Sequence, residues 1–246
     1  LSEHNKNNPQ KAILNINEEL NTFFKELLLS KQGSETREYL LNRGISEDSI
    51  STFELGYSPK DGTSSLNYLT NKGINLEALL DAGVVRKNDH GQYRDWFRGR
   101  LIIPIRNSKG ELCGFGSRSI DSSLPKYLNS SKTAIFDKGT ILYGLNLAKK
   151  SARTDGLVIV EGYIDAIIAH QNKFTNVVAS MGTALTFEQV SEVRKVTNKV
   201  VMALDPDVAG QQATLRSLAS SWDVFQKTVV TSRSKVRDQN PLLFNR

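Results

Sequence analysis

Glu161, Asp165, Asp205 and Asp207 are the residues whose types and spacing could do chemistry in this chain. Glu161 and Asp205 each follow an apolar run of buried-strand length, over 157–160 and 200–204. A buried strand that stops at an acid delivers that acid to a rim, and in open α/β sheets ligands sit outside the carboxyl ends of the strands. Gly162 lets the chain turn sharply after the first run. With a helix from Tyr163 onward, Asp165 lies one turn after Glu161 on the same side. Asp205 and Asp207 face one way in extended backbone, and Pro206 between them suits a strand end but not a strand middle. Four carboxylates on one rim repel one another unless cations sit among them. Hard oxygen ligands of this kind suit Mg²⁺ or Mn²⁺. Two such ions can clamp the attacking and leaving oxygens of a phosphoryl transfer.

A second set of residues is basic. Arg98, Arg100, Arg106, Lys109 and Arg118 recur through one stretch, followed by Lys126, Lys132 and Lys138. Within 125–129, Lys126, Tyr127 and Asn129 place a cation, an aromatic ring and an amide together on an expected loop. Such a set can hold a phosphate and stack a base. For any single Lys or Arg here the plainer alternative is a solvated surface.

The elements that must position these sets follow from periodicity. Residues 1–12 are polar and expected to be loose. Asn17 is expected to cap a helix whose apolar face is Leu20, Phe23, Phe24, Leu27 and Leu28. Ser34 starts a second helix stopped by Gly44, Ser46 starts a third running to about Phe53, and two short helices end at Gly73 and Gly83 on either side of Asn75. Strands are expected over 100–106 and 112–120, joined by a turn at 107–110. Pro104 argues for an edge position or a bulge. From Leu157 strand and helix alternate: strands over 157–160, 177–180 and 200–204, and helices over 164–170, from about 187 to 196, and after Gly210. This order predicts a parallel sheet. If Glu161 and the Asp205/Asp207 pair share ions, the first and third strands must be neighbours, with the second outside them. Gly182 and Thr183 form a turn at the same rim and are candidate site residues. A short strand near residue 229 would leave an exposed edge prone to association. Residues 232–246 read as a basic tail of low order.

The chain has 246 residues with a formal net charge of +6. Its pI is near 9.3, which favours a polyanionic partner. No apolar run approaches the ~20 residues of a membrane span, and the first residues hold no signal-peptide core. Cys113 is the single cysteine, so neither an intrachain disulfide nor a Cys-rich zinc site is expected. A reducing, cytoplasmic location fits.

The quoted residues together resemble the catalytic core of bacterial DnaG-type primases, which carry a Toprim domain. The motifs are Phe97-Arg98-Gly99-Arg100 with Pro104-Ile105-Arg106, Gly114-Phe115-Gly116-Ser117-Arg118, and Pro125-Lys126-Tyr127-Leu128-Asn129. Phe136-Asp137-Lys138-Gly139 and Leu142-Tyr143-Gly144 follow, then Glu161-Gly162-Tyr163-Ile164-Asp165, Gly182-Thr183 and Asp205-Pro206-Asp207. The resemblance is close over about 97–222 and weaker before it. It implies an α/β architecture: a helical and β-hairpin N-terminal subdomain over 13–150, then a Toprim domain over 151–231 with a parallel sheet flanked by helices. It implies Glu161, Asp205 and Asp207 as catalytic residues, and these three with Asp165 as holders of Mg²⁺ or Mn²⁺. Arg98, Arg100, Arg118, Lys126, Tyr127, Asn129 and Lys138 would line the groove for single-stranded DNA template and ribonucleoside triphosphates. The implied reaction is RNA primer synthesis during replication, with pyrophosphate release, at the nucleoid. The family also has a zinc-binding domain, a further acidic pair and a domain that binds the replicative helicase. Cys113 alone cannot build the first, and Asp238-Gln239-Asn240-Pro241 does not reproduce the second, so a truncated core opening at Leu1 is the expectation. The alternatives are another Toprim nuclease or a non-catalytic DNA-binding fragment.

Overall fold

The computed structural model describes residues 8–121, 123–182 and 185–204, with the backbone of 229–230. The backbone divides at Lys138/Gly139 into two compact units.

The first unit is built on one long helix. Helix α1 spans Pro9–Leu29, with Asn8 as its cap accepting from the Lys11 N–H at 3.2 Å. It therefore begins well before the expected cap. Asn17 lies buried in mid-helix, where its amide donates to the Leu112 carbonyl at 3.1 Å. The apolar stripe extends back to Ile13 and Ile16, so residues 9–12 are helical rather than loose. Helices α2 (Ser34–Asn42), α3 (Glu47–Thr52), α4 (Ser64–Asn71) and α5 (Leu76–Asp81) follow. Ser46 and Asn75 cap α3 and α5 as their spacing implies. Buried Asp95 caps α4 from a distance: its carboxylate accepts from the Ser65 and Leu66 N–H groups, both at 2.9 Å.

Strands β1 (Gly56–Ser58), β4 (Arg100–Arg106), β5 (Leu112–Ser119) and β6 (Tyr127–Asn129) form an antiparallel sheet in the order β1-β4-β5-β6. Strands β2 (Val85–Lys87) and β3 (Tyr93–Asp95) form a separate hairpin. One expectation changes here, and of the two alternatives for Pro104 the structure shows the bulge and not the edge. Tyr127–Asn129 is an edge strand paired to β5, not a loop. Pro104 stands on an interior strand, but β1 pairs only with Arg100–Ile102 and ends short of it. Opposite Pro104, Phe115 donates to Ser130 Oγ and its carbonyl accepts from the Ser130 N–H. Pro104 thus forfeits no ladder bond, and the register shifts just beyond it, between Ile105 and Arg106. Ile13, Ile16, Leu20 and Phe24 of α1 join Phe97, Ile102, Leu112 and Phe115 in one core. Phe115 meets Phe24 and Phe97 edge-on, at 5.8 and 6.1 Å between centroids. Burial pushes the Cys113 thiol up to about 12, so it is packing and not a nucleophile.

The second unit is the alternating half. Helix α6 (Leu145–Asp155) leads into β7 (Leu157–Val160), α7 (Tyr163–Gln171), β8 (Val177–Ala179), α8 (Phe187–Arg194) and β9 (Val200–Met202). Strand β10 covers Val229–Val230 and pairs with β9. The sheet is parallel in the order β10-β9-β7-β8. The first and third strands of the alternation are neighbours and the second lies outside them, as ion sharing requires. Leu157 and Ile159 point into a core with Leu145, Ala148 and Ala152 of α6 and Val190 and Val193 of α8. Helix α7 packs on β8. Among the described residues no helix is long and apolar enough to cross a membrane. The expected helix after Gly210 and the basic tail 232–246 lie outside the described residues.

Candidate nucleic-acid interface and acidic rim

In the first unit, the start of β4 and the segment before it carry two arginines into a cleft of about 380 Å³. Arg98 and Arg100 line it, with Lys60, Arg86 and Trp96 around them. Arg98 is exposed, whereas Arg100 is 6% exposed. Buried Arg100 Nη1 has no hydrogen-bond partner among the described residues. A buried guanidinium N–H without an acceptor is costly, and a cleft wall is where an anion could supply one. Burial lowers the Arg100 pKa, Asp121 opposes that shift and Arg98 adds to it. Among the described residues Asp121 is the one acid lining the cleft, and it pairs with Lys60 at 3.7 Å. Its carboxyl is held below the usual range by hydrogen bonds from Ser123.

Gly99 makes this wall. Its φ is +62°, and a Cβ there would come within 2.7 Å of Lys60 Cγ, so the lysine stem lies across the glycine. On the same wall Arg86 stacks on Trp96 at 5.4 Å, and the Trp96 indole donates to the Asn129 carbonyl at 2.9 Å. Lys60, Arg86 and Trp96 are site residues that the sequence reading missed. Trp96 is two residues from Arg98 in sequence, whereas Lys60 and Arg86 are joined to it only by tertiary structure.

Strand β6 places the next set. Arg118 and Tyr127 are register partners across β5 and β6. The Arg118 guanidinium lies over the Tyr127 ring at 5.1 Å and donates to its hydroxyl. Tyr127 is 42% exposed, Lys126 is exposed beside it, and Asn129 is half-buried. Lys138 is half-buried in a short turn over Lys138–Thr140, and burial lowers its ammonium pKa.

In the second unit, β7, β8 and β9 end on one rim. Val160 pairs with Ala179 and Ile159 with Met202. Glu161, half-buried, is the first residue past β7. Its carbonyl accepts from the Gly182 N–H at 3.3 Å, which ties the turn after β8 to the end of β7. Met181 and Gly182 are both left-handed, with φ of 63° and 74°. Such a conformation at a buried methionine costs free energy, and strain of this kind gathers at working sites. Asp165 stands in the first turn of α7, exposed, with Oδ2 only 2.6 Å from where a Gly162 Cβ would be. Any side chain at 162 would push that carboxylate aside.

The Ala203 N–H donates to the Ile159 carbonyl at 2.9 Å, so the chain past β9 leaves by the same rim at Leu204. Asp205, Asp207 and Thr183 lie outside the described residues. Among those described, no group of three or more His, Cys, Asp or Glu side chains could hold a metal ion. The structure therefore brings Arg98 together with Arg100, Arg118 with Tyr127, and Asp165 with the backbone that follows Glu161.

Two family models cover most of the chain. The DNA primase catalytic core, N-terminal domain, matches residues 23–149, and the Toprim domain matches 155–233. The DNA primase of Clostridium acetobutylicum is 43% identical over 194 residues, which are 79% of this chain and 32% of that protein. This chain thus spans about a third of that relative's length. The RNA polymerase domain of Mycobacterium tuberculosis primase DnaG superposes with a TM-score of 0.79 at 29% identity, over 94% of this chain and 80% of that one. A DnaG primase catalytic domain bound to ssDNA superposes with a TM-score of 0.81 at 32% identity, over 94% of this chain and 78% of that one.

Proposed function

This chain belongs to the DNA primase catalytic-core family, and on that premise we propose that it makes short RNA primers on single-stranded DNA, joining ribonucleotides with release of pyrophosphate. The observation that carries the reading is the sheet order: β7 lies beside β9, so the strand ending at Glu161 and the strand leading to Asp205 open on one rim. We assign catalysis to Glu161, Asp205 and Asp207, and metal holding to these three with Asp165. The donors suit a hard divalent ion, and the carboxylate of Asp165 is kept close to the turn after Glu161 by the absence of a side chain at Gly162. Mg²⁺ or Mn²⁺ at these residues would neutralise the charge on the reacting phosphates.

The basic set takes the polyanions. Arg98 and Arg100 hold template backbone, and the open hydrogen-bonding position of Arg100 Nη1 suits a phosphate oxygen. Lys126, Asn129 and Lys138 take the triphosphate or neighbouring template phosphates, and Tyr127 offers a ring to a base. Gly182 and Thr183 border the acidic rim. In domain terms, 13–150 carries the groove and 151–231 the acids. A cytoplasmic place at the nucleoid follows from this reading.

The test is incorporation of labelled ribonucleotides on single-stranded DNA with Mg²⁺ or Mn²⁺, by this chain and by Glu161→Gln. RNA made by the parent alone supports the assignment. Degradation of the strand in place of synthesis would make the chain a Toprim nuclease. Salt-sensitive DNA binding with no product from either protein would make it a binding fragment.

A further inference from the structure

Beyond the assigned groove residues, the first unit holds an alternating stack of cations and rings that leads to Tyr127. Arg43, the residue that ends α2, lies over the Tyr39 ring at 5.5 Å. Arg118 lies over the same ring at 5.4 Å, and over Tyr127 at 5.1 Å. The order is Arg43, Tyr39, Arg118, Tyr127. Each guanidinium meets the electron-rich face of a ring. Arg118 is only 8% exposed and is held further by its bond to the Tyr127 hydroxyl. The rungs come from the end of α2 and from β5 and β6, and the first is far in sequence from the other two.

This arrangement solves a mechanical problem. Tyr127 sits on a three-residue strand at the sheet edge and is 42% exposed. An exposed ring on so short an edge strand samples several rotamers, and a base stacking on it must first freeze them. A ring already held in place by a buried guanidinium loses little on binding. The guanidinium of Arg118 lies against two rings and donates to a hydroxyl, which suits a part that holds Tyr127.

We propose that Tyr39, backed by Arg43, is a positioning residue that fixes Arg118 and through it presents the Tyr127 ring to an unstacked nucleobase. This rests on the reading of Tyr127 as a base-stacking residue. The base could belong to the template or to the incoming nucleotide. Two ligand pairs separate these sources: a deoxythymidine strand of about 16 nucleotides against a base-free sugar-phosphate strand of equal length, and ATP against ribose 5-triphosphate. Within each pair the charge is similar, so the affinity ratio isolates the base.

The parent is expected to show a base-dependent gain of about tenfold in one pair. Tyr127→Leu removes it, Tyr39→Leu removes most of it, and Tyr39→Phe, which keeps the ring, restores it. Loss of fold would weaken both members of a pair, so an unchanged base-free affinity marks a positioning effect. Arg43→Gln, on the exposed outer rung, gives a second reading that does not depend on the core: a drop of about twofold in the same ratio. A gain that Tyr127→Leu removes and that neither Tyr39→Leu nor Arg43→Gln changes would overturn the inference while leaving Tyr127 as the stacking residue. A gain absent from the parent, or surviving Tyr127→Leu, would overturn the assignment of Tyr127 and the stack's role with it.

Discussion

Two arginines six residues apart on β4 do opposite work. Arg106 is saturated: it bonds Glu18 at 2.6 and 3.1 Å, Glu54 at 2.8 Å and the Gly110 carbonyl at 2.9 Å. Arg100 is the more deeply buried and has an Nη1 that no described residue meets. The first arginine should therefore matter to folding and the second to an anion. Arg106→Gln is expected to cost roughly 1–3 kcal/mol in chemical denaturation and to leave DNA affinity unchanged. Arg100→Met is expected to be neutral or stabilising, because a buried charge short of acceptors costs free energy, and to weaken DNA binding. A destabilised Arg100→Met with parental DNA affinity would place Arg100 in the scaffold. Gly162 carries a sharper prediction, because an added Cβ and Asp165 Oδ2 cannot share 2.6 Å. Gly162→Ala should cut metal-dependent synthesis on the order of 100-fold by misplacing a carboxylate, with the unfolding midpoint little changed. Parental rates from that variant would remove Asp165 from the metal-holding set.

The elements were legible where local pattern and tertiary demand agreed. The run Leu157–Val160 reads as a strand because all four residues are apolar; Leu157 and Ile159 are buried and Val158 and Val160 half-buried, with the acid just beyond. Ser46 was legible because a cap is a three-residue matter. The start of α1 was not. Asn15 and Asn17 interrupt the stripe, and Asn17 is tolerated only because the Leu112 carbonyl, from a distant strand, accepts its amide proton. Strand β6 was missed for the same reason, since three residues become a strand only by pairing with β5. At the rim, the placement of Glu161 just past β7 and of Asp165 in the first turn of α7 was legible. The cleft was half legible, through Arg98 and Arg100, because Lys60 and Arg86 reach it only through the fold.

One joint between elements carries a pH dependence. His170, in the last turn of α7, contacts the Val177 carbonyl at the start of β8 through Nε2 at 2.7 Å. Burial lowers its pKa below the ordinary 6.5, and the hydrogen bond to Val177 opposes this only in part. Below that value the unfolded imidazole binds a proton that the folded one resists, so protons favour the unfolded chain. The stability His170 contributes is present above about pH 6.5 and is lost as the pH falls from there toward the lowered folded value. Unfolding midpoints measured across this window should fall for the parent and hold steady for His170→Gln. An identical fall in the variant would assign the effect to other groups.

At the scale of the whole molecule, the excess of six positive charges could act as a diffuse field or through one built surface. The structure favours the surface, because Lys60, Arg86, Arg98 and Arg100 gather round a single cleft with Asp121 as the one acid lining it among the described residues. Each phosphate that such a cation neutralises releases counterions from the strand, and for single strands the slope of log affinity against log salt is about −0.7 per phosphate. Four engaged cations give a slope of roughly −3. Arg98→Ala and Lys60→Ala should each make it shallower by about 0.7. Lys31→Gln removes one exposed charge that does not line the cleft. A diffuse field would weaken by the same amount whichever lysine is lost, whereas the cleft predicts a parental slope for Lys31→Gln. Asp121→Asn adds the converse test, because removing the acid that pairs with Lys60 frees that ammonium for a phosphate and should tighten binding at low salt. Equal slopes for the Lys60, Arg98 and Lys31 variants would mean that the net charge attracts DNA and the cleft does not hold it.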